Sequence, residues 1–122
     1  MAELHYQELN LLQIFDVLRH ARIARLAVSR ANQPYVVPMR FQLEVRGKET
    51  ILHLISRDGG RKMDTLRVND RVCLEIELPG CAWVDTVVIQ GRATVGIHEP
   101  GKAVELCVAA RHMTGRRYFQ PE

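Results

Sequence analysis

Hydrophobic positions along the chain follow two periods. In "ELNLLQIFDVLRHAR", Leu11, Leu12, Phe15 and Leu18 recur at helical spacing, and the segment ends in basic residues that suit a helix C-terminus. The pattern predicts an amphipathic helix from about residue 7 to 20. The period then falls to two. "RIARLAVS" reads as a strand and "ANQ" as a turn. In "PYVVPMRFQLEV", Tyr35, Val37, Met39, Phe41, Leu43 and Val45 face one way, while Val36, Pro38, Arg40, Gln42 and Glu44 face the other. That is a strand with one buried face. Pro38 has no N–H to give to a ladder, so it predicts an edge, a bulge or an interruption of pairing. "RGKE" closes a hairpin and "TILHLIS" is the return strand.

Past that strand, residues 61–68 read as a short helix ended by "ND". "RVCLEIEL" alternates again, with Val72, Leu74, Ile76 and Leu78 inward and Cys73, Glu75 and Glu77 outward. "PGCAW" is a loop. "VDTVVIQGRATVGI" is one long strand, with Gly91 as its bend or bulge. "EPGKAVELCVAARHM" is expected to be a second helix, with Pro100 near its start. Antiparallel strands joined by short connections predict a mainly β domain, a small barrel with flanking helices, over residues 1–122.

Composition adds little to this picture. A chain of 122 residues that is 47% hydrophobic builds one core, and 25% charged residues is ordinary for a globular domain. The net charge of +3 favours anionic ligands in general. Basic residues are not interleaved with aromatics, so nucleic acid is not the expected partner. Cys73, Cys81 and Cys107 are an odd set without repeated spacing, which predicts neither a disulfide framework nor a zinc cage. No His pair has metal-ligand spacing, and no metal is expected. Among the histidines, His53 stands out because it lies on a strand beside the candidate site. "MAELHYQELN" lacks the features of a signal peptide, and no apolar run approaches a membrane span. A cytoplasmic protein is the expectation.

The candidate chemistry lies in "ISRDGGRK". Ser56 ends a strand, Gly59 and Gly60 expose backbone N–H groups, and Arg61 and Lys62 open a helix whose N-terminus favours an anion. A guanidinium and an ammonium beside free amides form a phosphate site. The alternative is a solvated turn before a surface helix. The glycine spacing and the Gly-Lys-Ser/Thr ending of a Walker loop are missing.

Four pieces occur in order: "ARLAVS", "PYVVPM", "ISRDGGRKMDTLRVNDRVCLEIE" and "WVDTVVIQGRAT". Together they resemble the flavin-binding split-barrel family of pyridoxamine 5′-phosphate oxidase-like proteins, and among these the nitroimidazole-resistance-like flavoproteins. The resemblance implies a six-stranded Greek-key split β-barrel and a homodimer with FMN at the subunit interface. By position it places Ser56, Gly60, Arg61 and Lys62 at the FMN phosphate and Ile55 next to them. Val36, Val37, Pro38 and Met39 fall on the strand along the isoalloxazine ring. Trp83 and Thr86 fall where the second subunit completes the pocket. Two departures stand out. Many nitroimidazole-resistance-like members carry a His directly before the serine, where this chain has Ile55. His53 lies on the same face but one strand repeat away, about 6.6 Å. The C-terminal Arg and His with which pyridoxamine phosphate oxidases bind substrate are also missing, so that oxidation is not expected.

The function so implied is an FMN-dependent oxidoreductase of unassigned substrate, nitroreductase-like as one option, served by a small-molecule electron donor and acceptor. No catalytic side chain is assigned, because the flavin itself carries the electrons. FAD, a deazaflavin or haem are the other cofactors considered. The alternative is a non-catalytic flavin or haem carrier or sensor, and a third possibility is a barrel that has lost its cofactor and acts through protein contacts.

Overall fold

Helix α1 (Leu11–His20) begins where the sequence can cap it. The Asn10 side chain accepts from the backbone N–H of Gln13, and the Gln13 side chain accepts from the N–H of Asn10, both at 2.9 Å. Each satisfies a donor that a helix start leaves orphaned. Asn10→Ala is expected to lower stability by about 1 kcal/mol, read from the midpoint of urea unfolding. The computed structural model describes residues 5–56, 60–96, 99 and 101–120. Residues 6–8 are not the first turn of α1, as the periodicity predicts, but a short strand, β1 (Tyr6–Glu8). Leu11 and Leu12 are exposed, whereas Leu18 is buried as the pattern predicts, together with Ile14 and Val17.

The remaining elements are β2 (Ile23–Arg30), β3 (Gln33–Arg46), β4 (Glu49–Ser56), α2 (Gly60–Val68), β5 (Arg71–Pro79), β6 (Trp83–Val95) and β7 (Val104–Phe119). All strand pairings are antiparallel. Their order is β1-β7-β4-β3-β2-β5-β6, and β6 also pairs with β7, so β2 to β7 close into a six-membered ring with β1 added on β7. The six-stranded split barrel is therefore present. Inside it lie Leu26, Leu52, Leu54, Leu74, Ile76, Ile89 and Leu106, with Val17 and Leu18 of α1 and Met63 and Leu66 of α2 in the same core. Among the described residues no helix is long and apolar enough to cross a membrane.

The second predicted helix is instead β7, the sixth strand of the ring. Ala, Glu and Leu in "KAVELCVAA" favour helix locally, but Val104, Leu106 and Val108 are buried in alternation. Residues 104–109 of β7 pair with β4 on one side, and residues 106–110 pair with β6 on the other. Pairing on both edges overrides a weak local preference. Pro100 lies outside the described residues.

Gly91 stands at the expected bulge. Gln90 faces His112 and Gly91 faces Ala110, so Arg111 is an extra residue on β7. Such an insertion bends the ladder and strengthens its twist. β2 and β3 are joined by Ala31 and Asn32, at φ 52° and 63°. Two left-handed residues make the tight hairpin turn whose twist matches the strands.

Candidate functional site

The hairpin sets which way the β3 backbone points. Arg30 and Gln33 flank a two-residue turn and so form a hydrogen-bonded pair, which gives the odd-numbered residues of β3 to β2. The even-numbered ones direct N–H and C=O to the other edge. From Phe41 to Arg46 that edge is covered by β4. The β3–β4 pairing stops at Phe41–Leu54. Beyond it Ile55 and Ser56 pair with β7, and residues 33–40 of β3 pair with β2 alone among the described residues. The barrel is forked at this point.

The open edge of the fork carries the even residues Pro34, Val36, Pro38 and Arg40. Two are prolines, which lose nothing by facing away from a ladder partner. This is the interruption that Pro38 predicts. Val36 and Arg40 supply the edge's N–H donors, and Val36, Pro38 and Arg40 supply carbonyls, while the Pro34 carbonyl accepts from Gln33 Nε2 at 3.1 Å. Val36 is 57% exposed and Ile55, at the mouth of the fork, 62%. Val37 is half-buried and Met39 buried. The fork thus joins an exposed apolar surface to a backbone edge that has no second strand partner among the described residues, which suits a flat heteroaromatic ligand.

Helix α2 packs against β2 and brings its basic start to the same side. The Arg61 guanidinium lies 4.9 Å from the centre of the Tyr35 ring on β3. Arg61, Tyr35 and Arg30 line one cleft of about 550 Å³, together with Asp64 and Thr65. Two guanidinium groups there can hold an anion, with the Asp64 carboxylate opposing them. Lys62 is half-buried and makes no ion pair with any described residue. Gly60 opens α2, and Gly59 lies outside the described residues. Ser56 continues the buried alternation of Leu52 and Leu54 and is 2% exposed, on the core side of β4.

Trp83 and Thr86 are elsewhere. Both lie on β6, which is opposite β3 in the ring, with three steps between them in either direction. Arg117 stacks on Trp83 at 4.3 Å and reaches the buried Asp85 through Nε at 2.8 Å and Nη2 at 3.0 Å. The Asp85 carboxylate holds the Arg117 guanidinium above its ordinary range. Thr86 donates to the Arg116 carbonyl at 3.3 Å. These two residues do not share a pocket with Val36 in one chain.

One cluster has no signal in sequence spacing. His53 on β4 meets Glu105 and Cys107 of β7 and Glu44 of β3. Its imidazole is held above the ordinary range, first by the hydrogen bond to Glu44 and then by Glu105 against the opposing effect of burial. Glu44 is correspondingly lowered by His53 and Arg46. Burial, with Glu105 alongside, pushes the Cys107 thiol up. Cys73, read as outward, is half-buried, and burial raises its thiol too.

Comparison with known proteins agrees with this architecture. The profile of the pyridoxamine 5′-phosphate oxidase family matches residues 12–120. No curated protein matches the chain. Among solved structures, an FAD-binding protein from Mesorhizobium loti superposes with a TM-score of 0.80 at 24% identity, covering 92% of this chain and 97% of its own. A protein assigned to 5-nitroimidazole antibiotic resistance, from Bacteroides thetaiotaomicron, gives 0.82 at 18% identity over 96% and 90%. The FAD-binding protein of Mycobacterium smegmatis gives 0.77 at 16% identity over 94% and 100%. At these identities the likeness is one of fold. The match over nearly the whole chain settles the family: this protein belongs to the pyridoxamine 5′-phosphate oxidase family.

Proposed function

We propose that the fork between β3 and β4 holds FMN within a homodimer, and that the protein is a cytoplasmic flavin-dependent oxidoreductase. The observation that carries this reading is the open edge of residues 34–40 beside exposed Val36 and Ile55. An isoalloxazine offers a rim of alternating acceptors and a donor and an apolar face. The edge offers the Val36 N–H among carbonyls, and the valine and isoleucine side chains offer apolar cover. Arg61 and Lys62 would neutralise the phosphate. A bound flavin supplies reversible hydride and electron transfer. The chain's own residues bind, orient and shield it, and none in the fork is required as a base.

A second copy of the chain enters for a topological reason. Trp83 and Thr86 stand opposite β3, so they reach a flavin at the fork only from a neighbouring subunit. Two solved neighbours are called FAD-binding, which makes FAD the competing ligand. Titration with FMN and with FAD, followed by quenching of flavin fluorescence and by scattering mass, tests both points. The expected result is one FMN per chain, bound more tightly than FAD, in a particle of twice the chain mass. A protein that ignores both flavins would overturn the reading. Anaerobic bleaching of the bound flavin by NADH or NADPH is the expected mark of an enzyme, and its absence would replace the enzyme with a carrier or sensor.

A further inference from the structure

The cluster around His53 is built on three neighbouring strands and belongs to neither the phosphate cleft nor the open edge of β3. His53 and Cys107 are direct cross-strand partners, and Glu105 follows two residues before Cys107 on the same strand face. His53 Nδ1, a Glu105 carboxylate oxygen and Cys107 Sγ all lie within 4.8 Å of one another. The Nδ1–Sγ separation is 3.5 Å, and the Sγ–Oε1 separation is 3.7 Å. Zinc bonds of the usual N, O and S lengths at tetrahedral angles require donor separations of about 3.3–3.6 Å. The first edge of the triangle therefore already has the right length, and the second exceeds it by about 0.1 Å. The third, between His53 and Glu105, is closed by their hydrogen bond and opens by rotation of the Glu105 side chain, which is 54% exposed.

The other imidazole nitrogen carries a further sign. His53 Nε2 is held by Glu44 Oε1 at 2.8 Å, and Glu44 Oε2 is held in turn by Arg46 Nη2 at 2.8 Å. Metal-ligating histidines commonly give their second N–H to a carboxylate, which fixes the tautomer and aims the free nitrogen. With the proton on Nε2 toward Glu44, Nδ1 presents its lone pair to the space shared with Glu105 and Cys107. The half-exposed glutamate leaves a way in from solvent.

We propose that His53, Glu105 and Cys107 bind a divalent transition-metal ion of the zinc class, with Glu44 as the positioning residue behind the imidazole. A thiolate, an imidazole and a carboxylate suit zinc or cobalt and exclude magnesium and calcium, which take oxygen ligands. On binding, the Cys107 thiol gives up its proton to solvent, and any proton on Nδ1 leaves as well. Three protein ligands leave one coordination position for water or a small ligand. The competing arrangement is a protonated His53 between two carboxylates with no affinity for metal.

Cobalt(II) titration of the purified protein, read as a difference spectrum against the same protein without cobalt, tests the site, with zinc affinity measured by competition with a chromophoric chelator. The expected result is one ion per chain with a cobalt–thiolate charge-transfer band. Cys107→Ser is expected to abolish the band and weaken zinc binding by at least about 100-fold, while Cys73→Ser leaves both unchanged. Glu44→Gln is expected to keep the band and weaken zinc by about 10–100-fold. Glu105→Gln, at an exposed position, carries the test if Cys107→Ser does not fold, and it is expected to weaken zinc at least about tenfold. Absence of the band in the parent protein, or affinities untouched by Cys107→Ser and Glu105→Gln, would overturn the proposal. Flavin binding does not enter these readouts, so the outcome is independent of the function proposed above.

Discussion

Gly91→Ala is expected to destabilise the fold by about 3 kcal/mol, read as a large drop in the midpoint of urea unfolding. A methyl group at this position would stand 2.2 Å from the Ala109 carbonyl oxygen and 3.1 Å from its carbon. Both are backbone atoms, so no rotamer change relieves the clash. Nor is the Ala109 backbone free to retreat. It lies in the ladder to Ile51 of β4 and in that to Arg92 of β6. Moving it breaks hydrogen bonds on both sides of β7. Gly47 supplies the contrast. It has φ +60° but nothing within 4 Å of an added methyl, so Gly47→Ala should cost only the backbone strain, about 1 kcal/mol. If the two variants unfold at the same urea concentration, the close approach at the bulge does not hold in solution.

Arg61→Ala combined with Lys62→Ala is expected to weaken FMN binding by about 100-fold or more. Hydrogen bonds to charged groups contribute about 1.5–3 kcal/mol each, and two are removed together. Riboflavin has the same ring and no phosphate. Its affinity should be nearly unchanged in the double variant, because the open β3 edge and Val36 are untouched. The FMN affinity of the parent should also fall with added salt more steeply than that of the variant. Equal loss of riboflavin and FMN would mean that the substitutions disturb the fork through Tyr35, on which Arg61 rests, and not through the phosphate. Unchanged FMN affinity would remove Arg61 and Lys62 from the site.

Much of the barrel is legible where burial has one face. The alternation of Tyr35, Val37, Met39 and Phe41 describes the real β3, and Pro38 marks the stretch where one of its edges goes unpaired. Gly91 marks the bulge for the same kind of reason, since only a residue without a side chain fits there. Residues 104–110 were misleading because their alanines, glutamate and leucine carry helix preference, while one of the two partners that decide the matter, β4, is remote in sequence. Of the proposed phosphate site, the sequence shows the basic helix start at Arg61 and Lys62, which the structure places at the beginning of α2. The burial of Ser56 was not legible, because it depends on which face of β4 meets the core. The His53 cluster was invisible for a related reason. Its ligand atoms come from separate strands, and His53 and Glu105 are 52 positions apart. Only the β4–β7 register brings them together.

The place of β7 in the ring has a consequence for how the chain reaches its fold. β7 pairs with β1, β4 and β6, and every one of these precedes it in sequence. Until it docks, β4 and β6 each keep a bare edge and the ring cannot close. Its contacts are long-range, the kind that slows folding because loop-closure entropy is lost before pairing compensates it. A growing chain would therefore pass through a stage with two sticky strand edges and an incomplete core, the stage most exposed to misassembly with other chains.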